Sequence, residues 1–379
     1  MRHLLLAVAV CALVGSSVSH AADTLKIGGL LETSGSVASL GQPGLEGAQL
    51  AVEQINKSGG INGKKLELIN MNTESDNTQT VSAAKRLIGQ SDILALVGPM
   101  NTGSSFAIID IVQRAKIAMV SNGGSRGIVL PVEKKKWIFL APLTDTLVQK
   151  VMLADMKKKG IKNIALLSSD SAFGSSGKEQ LEAQSKDFGV TIAVQQTFGN
   201  NDKDMTPQLT NIRAKNVQAI VVWSTGPAQA VAVRNIRQLG LKVPVYLSHA
   251  ANDYNFLRLA GDASNGVLIP SSKMYVTDSL PNDDPQKSVI QKFIADYTKA
   301  YGHQPATFAG NGYDATMLVA NAIKVAGTDR SAIRSAIEAT KNYVGVTGIY
   351  SYSPTDHFGV LPSSVEMLTV KNGNFVLQE

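Results

Sequence analysis

The stretch Ile93-Leu94-Ala95-Leu96-Val97-Gly98-Pro99-Met100-Asn101-Thr102-Gly103-Ser104-Ser105 decides the fold, together with the helical run that continues to Ala115. Five consecutive apolar residues form a strand with no wet face. Gly98-Pro99 breaks it, and small polar residues open a helix from about Ser104. A second apolar run, Ile117–Val120, follows at once. Strand, polar turn, helix and strand in that order make a parallel pair joined by a crossover helix.

The same rhythm extends outward. Before it come a strand at Leu25–Leu30, a helix at Gly44–Asn56, a strand at Lys65–Asn70 and a helix at Thr78–Gln90. In the first of these helices Leu45, Ala48, Ala51, Val52 and Ile55 share one face. The series closes at Trp137–Leu140 and then restarts. Helices are expected at Asp145–Lys159, Phe173–Phe188, Met205–Ala214 and Pro227–Leu239. Strands are expected at Asn163–Ser168, Thr191–Thr197, Ala219–Trp223 and Val245–Ser248. Three helical stretches follow, Ser288–Tyr301, Phe308–Ala326 and Asp329–Thr340, and weak strands end the chain. The fold class is α/β, with two doubly wound parallel-sheet lobes. No Gly/Ser-rich or Pro-rich linker separates them, so short crossings join them rather than a tether.

The composition agrees. A chain of 379 residues, 44% hydrophobic and 17% charged, can bury a core in each of two lobes. The formal charge of +6 is dispersed apart from Lys134–Lys136 and Lys157–Lys159. Neither cluster interleaves with stacking aromatics, so no nucleic-acid partner is expected. Arg2, an apolar run from Leu4 to Val14, and small residues to Ala21-Ala22 make an export signal over residues 1–22. The single cysteine, Cys11, falls inside that run. Cleavage would leave a chain free of disulfides, thiolate metal sites and cysteine nucleophiles.

Enzyme signatures fail one by one. Gly174-Ser175-Ser176-Gly177-Lys178 is followed by Glu179, not by Ser or Thr, and lacks the opening glycine of a phosphate loop. Gly310-Asn311-Gly312-Tyr313-Asp314-Ala315 fits a relaxed dinucleotide pattern but follows no strand, and reads as a helix start. There is no G-x-S-x-G elbow. His249, His303 and His357 form no metal spacing; His303 reads as solvated and His357 as part of a polar turn. No cofactor and no metal are expected.

What remains is a set of loops at the carboxyl ends of strands, where open parallel sheets gather ligands. They are Gly98–Ser105, Ser121-Asn122-Gly123-Gly124-Ser125, Ser169–Gly174, Ser224-Thr225-Gly226-Pro227, and the turn with His249, Asn252 and Asp253. Glycine admits close backbone approach, and helix starts offer N–H groups to an anion. For any one loop, capping of the next helix explains the polar residues equally well. Their convergence favours a carboxylate.

Several segments together resemble one family. These are Gly47-Ala48-Gln49-Leu50-Ala51-Val52, Gly59-Gly60-Ile61-Asn62-Gly63-Lys64, Val97-Gly98-Pro99, Ala172-Phe173-Gly174, Asp204-Met205-Thr206-Pro207-Gln208-Leu209, Ala260-Gly261-Asp262 and Tyr313-Asp314-Ala315. In order and spacing they resemble the type I periplasmic solute-binding proteins of ABC importers, the leucine/isoleucine/valine-binding family. The resemblance implies a three-crossing hinge near Ala141–Thr144, Ile269–Ser272 and Tyr350–Ser353. Lobe 1 is then residues 23–142 plus 272–351, and lobe 2 residues 143–271 plus 352–379. It implies a monomer in the periplasm that delivers a ligand to ABC permease membrane subunits.

It also implies ligand positions. The first-lobe carboxylate clamp corresponds to Asn101, Thr102, Gly123, Gly124 and Ser125, and a cleft wall to Leu40. In the second lobe Phe173 matches an aromatic position, and Thr225-Gly226 stands where a second ring would be. The acidic partner of an amino acid's ammonium falls at about His249, with Asp253 able to shift into that role. An imidazole is a poor counter-ion for ammonium, and an unpaired buried charge is heavily penalised. The expectation is therefore a small carboxylate without an amine, an aromatic acid first and a branched-chain amino acid next. A ligand-sensing module for a signalling partner would look alike in sequence. A secreted α/β enzyme would need a catalytic group, for which only Ser169 and Asp170 offer a start.

Overall fold

A computed structural model describes residues 24–379; the expected export signal and Cys11 lie outside the described residues. In the first lobe the chain runs β1 (Leu25–Gly29), α1 (Ala38–Lys57), β2 (Leu66–Asn70), α2 (Asn77–Gly89), β3 (Ile93–Val97), α3 (Thr102–Ala115), β4 (Ala118–Ser121) and β5 (Ile138–Leu140). The second lobe follows with α4 (Asp145–Lys158), β6 (Asn163–Ser169), α5 (Ala172–Gln184), β7 (Thr191–Phe198), α6 (Thr206–Arg213), β8 (Ala219–Trp223), α7 (Pro227–Gln238), β9 (Val245–Leu247), α8 (Tyr254–Ala260) and β10 (Leu268–Ser272). Then come α9 (Lys287–Tyr301), α10 (Thr307–Ala326), α11 (Arg330–Glu338), β11 (Tyr343–Val344), β12 (Ile349–Tyr350), β13 (Val365–Lys371) and β14 (Asn374–Leu377).

One sheet has the order β2-β1-β3-β4-β5 and is parallel throughout. The other has the order β14-β13-β10-β9-β8-β6-β7. Its β6 to β10 are parallel, but β13 pairs antiparallel with β10 and with β14. The second lobe is therefore mixed at one edge, where the sequence reading expected parallel strands. The central strands β3 and β8 are buried at every residue, as apolar strands covered on both faces must be.

The first helix starts earlier than the sequence suggests. The expected helix begins at Gly44, yet α1 starts at Ala38 and runs on with Pro43 inside. Packing overrides propensity here. A Cβ on Gly47 would lie 1.8 Å from the Ala309 carbonyl, and one on Gly312 would lie 2.0 Å from that of Gly44. Glycine is required at both because α1 and α10 approach backbone to backbone.

Three crossings join the lobes. The first lies between β5 and α4, and the second follows β10. The third lies later than Tyr350–Ser353. Tyr352 still packs on Phe139 of β5 with ring centroids 5.4 Å apart, and His357 stacks on the same ring at 4.1 Å. His357 is fully buried, 2.8 Å from the Ile138 carbonyl and 3.1 Å from Glu338, so it is no polar-turn residue. The chain leaves the first lobe only on the way to β13. At the hinge Asp314 accepts from the amides of Val346 and Thr347 at 2.8 and 2.7 Å. The Tyr350 hydroxyl lies 2.9 Å from both Asp314 and the Ala141 carbonyl, tying β12 and α10 to the first crossing.

Candidate functional site

The order of each sheet reverses between two strands that follow the first helical connections, β1/β3 in one lobe and β6/β8 in the other. Ligands collect at such switch points, outside the carboxyl ends. Here the two switch points face each other, and a cavity of about 210 Å³ lies between them.

From the first lobe, the segment after β1 contributes Ser36, Val37 and Leu40, and the turn after β3 contributes Met100, Asn101 and Thr102. Asn101 caps α3, its Oδ1 accepting from Gly103 N–H at 2.9 Å, so Thr102 is the first helical residue. The amides of Met100 and Asn101 donate to buried Glu32 at 2.9 and 3.3 Å, which fixes this turn from behind. Burial pushes the Glu32 carboxyl up to about 7, against those amide donations. Asn122 and Gly124 enter from the end of β4, and Phe308 and Asn311 from α10. Asn311 lies near the start of α10, as the sequence suggests.

The second lobe contributes Ser171, Phe173, Asn200, Thr225, His249 and Ala250. Ser171 caps α5 by accepting from Gly174 N–H at 3.1 Å and sets Phe173 in the first turn. The Phe173 ring stacks on Trp223 at 5.4 Å and meets His249 edge-on at 5.5 Å. Trp223 is fully buried, and its indole N–H donates to the Phe173 carbonyl at 3.1 Å. Trp223 thereby holds the cavity's aromatic wall; its place at the end of an apolar strand was the only sequence signal for it. Burial pushes the His249 imidazole down to about 4, partly offset by the Leu143 backbone, so the ring is neutral at pH 7.

Of the sequence-expected positions, Leu40, Asn101, Thr102, Gly124, Phe173, Thr225 and His249 line one cavity. Ser125, Gly123, Gly226 and Asp253 do not. Ser125 is buried and accepts from Gly127 N–H at 3.1 Å, while its hydroxyl lies 2.5 Å from Ser176 across the cleft. Ser176 in turn donates to Asp145 at 2.5 Å. Ser125 therefore fastens lobe to lobe rather than facing a ligand. A Cβ on Gly123 would meet Ile128 at 2.6 Å, inside the first lobe. Gly226, at φ +62°, starts α7 with open space beside it, nearest to the Ser36 carbonyl of the other lobe. Asp253 caps α8, accepting from Asn255 N–H at 3.0 Å, and offers no counter-charge to the cavity. Among the described residues lining it there is no Asp, Glu, Lys or Arg.

The lobes are closed on one another. A Cβ on Gly124 would lie 2.9 Å from Phe173 and 3.0 Å from His249. Arg126 reaches across to Gln180 at 3.0 Å, and its amide donates to Asp145 at 3.1 Å.

Comparison with known proteins agrees with this architecture. The family described as "Periplasmic binding protein" matches residues 24–374, and the chain belongs to that family. It is 24% identical over 359 residues to Leu/Ile/Val-binding protein homolog 7 of Brucella suis, covering 92% of this chain and 89% of that one. It is 26% identical to the leucine-, isoleucine-, valine-, threonine-, and alanine-binding protein of Pseudomonas aeruginosa, covering 86% and 84%. An extracellular ligand-binding receptor from Rhodopseudomonas palustris HaA2 superposes with a TM-score of 0.88 at 25% identity, covering 94% and 99%. The branched-chain amino acid transporter substrate binding protein LivJ of Streptococcus pneumoniae, solved with isoleucine, gives 0.81 at 27% identity, covering 93% and 97%.

Proposed function

We propose that this chain is the exported, monomeric substrate-binding component of an ABC importer. It captures a small carboxylate without an amine in the interlobe cavity, an aromatic acid above others, and presents it to the permease. The observation that carries this reading is the cavity's chemistry. The first turn of α3 and the Thr102 hydroxyl supply donors for an anion, and no acidic side chain is present to hold an ammonium. Phe173, backed by Trp223, offers a flat face to a ring. Closure then sandwiches the ligand, and the ligand shifts the population towards the closed form.

A branched-chain amino acid is the second reading, favoured by the printed specificities of the Pseudomonas relative and of the LivJ structure. A thermal-shift screen of the purified protein separates the two. A ligand at one hundred times its Kd stabilises by about 2.7 kcal/mol. Stabilisation by aromatic or aliphatic acids is expected; stabilisation by amino acids alone would give the second reading its place. Thr102→Ala should weaken acid binding about 10- to 100-fold, the worth of one hydrogen bond to a charged group, while the fold persists.

A further inference from the structure

Asn122 has a chemistry that a bare carboxylate leaves unmet. Its backbone amide donates to the Pro99 carbonyl at 2.9 Å, which anchors the residue just past β4. Its side chain is 4% exposed and lines the cavity, and neither Nδ2 nor Oδ1 has a hydrogen-bond partner in the protein. Buried side-chain polar groups in proteins are generally paired, and an unmet buried group is penalised by its full desolvation. Nδ2 can donate to an anion. Oδ1 can only accept, and a carboxylate has no proton to offer it.

A ligand that meets both atoms carries a donor as well as an acid. The surroundings say where. Gly123 lies against the start of α3, its Cβ position 3.2 Å from Thr102 Cα, and Gly124 lies against Phe173 and His249. Asn122 is thus a neighbour of the helix turn that receives the carboxylate, and the ligand's donor lies close to its acid group. An ammonium would bring protons together with a charge that no Asp or Glu among the described lining residues balances. A hydroxyl brings a proton without the charge.

We infer that the cavity selects a 2-hydroxy acid, and that Asn122 is the residue that reads the hydroxyl. The inference rests on the proposal that the cavity grips a small carboxylate. A site built around a substrate hydroxyl discriminates strongly against the analogue that lacks it, because its own polar group is then left unpaired.

The test uses two matched triplets and isothermal titration calorimetry on the wild-type protein. One is mandelate, phenylacetate and phenylglycine; the other is 2-hydroxy-4-methylpentanoate, 4-methylpentanoate and leucine. In at least one triplet the hydroxy acid should bind at least about 30-fold more tightly than its deoxy partner. Asn122→Leu, apolar and of similar size, should narrow that ratio to within about threefold. Equal binding of hydroxy and deoxy acids would overturn the role of Asn122 and leave the carboxylate reading standing. Tightest binding of the amino acids, or binding of none of the six, would overturn both. The wild-type comparison decides the matter even if the variant does not fold.

Discussion

At the scale of single residues the site depends on what is missing as much as on what is present. Gly124 has no side chain where the lobes meet, and a methyl there would press on Phe173 and His249. Gly124→Ala should therefore leave each lobe intact but resist closure. Calorimetry should show affinity reduced about tenfold or more, in line with overpacking of about 1–3 kcal/mol. Unchanged affinity would mean that the cleft closes less tightly in solution. His249 makes a different prediction. Burial holds its imidazole at about 4, below the ordinary 6.5, so an unfolded chain takes up that proton first as the pH falls. The stability it contributes is present above about pH 6.5 and is lost towards pH 4, at up to about 1.4 kcal/mol per pH unit. Glu32, pushed up to about 7, and Asp314, pushed up to about 6, act in the opposite sense, since they favour the folded chain as they protonate. Comparing His249→Gln with wild type in urea at pH 7.5 and 5 isolates the histidine. Wild type should lose more stability on acidification than the variant; equal losses would remove His249 from the account.

At the scale of elements, α5 does two jobs. Its first turn presents Phe173 to the cavity, and the next turn presents Ser176 to the Ser125–Asp145 latch. The helix lies directly on the Trp223 indole, because a Cβ on Gly177 would fall 2.0 Å from its Nε1. Gly177→Ala should push α5 away and destabilise by about 1–3 kcal/mol, measured by denaturant unfolding. Ser176→Ala removes the donor to a buried carboxylate that spans the closed lobes. Burial already raises the Asp145 carboxyl, and loss of that hydrogen bond should raise it further. Ligand affinity should fall about tenfold. Loss of stability without loss of affinity would show that the latch serves the fold and not closure. Most of these elements were legible in the sequence. The strand β8 and the start of α7 fall where the apolar run and Pro227 put them. The start of α1 was not legible, because its glycines serve a distant helix. The helix that carries Asn311 was legible to within one residue, but its place in the cavity was not.

At the scale of the whole molecule, the proposed function predicts that the lobes close around a ligand. The hinge is tied by the Asp314–Tyr350–Ala141 network and by Tyr275. The Tyr275 hydroxyl donates to the Asn252 carbonyl and accepts from Thr307 N–H at 3.1 Å, so it connects the turn after β9 to the start of α10. A ligand that bridges the lobes should reduce the radius of gyration measured by small-angle X-ray scattering. The ligand-free protein should be more extended, and a radius indifferent to a bound ligand would contradict closure. By itself the sequence determined the strand–helix alternation, the two lobes and most of the loops that carry the cavity, because hydrophobic period and turn chemistry are local properties. Only the tertiary structure decided that Ser125 fastens the lobes, that Asp253 caps a helix, that His357 is buried, and that Asn122 stands unpaired in the cavity. Each of those depends on which distant atoms arrive beside a side chain, and packing alone fixes that.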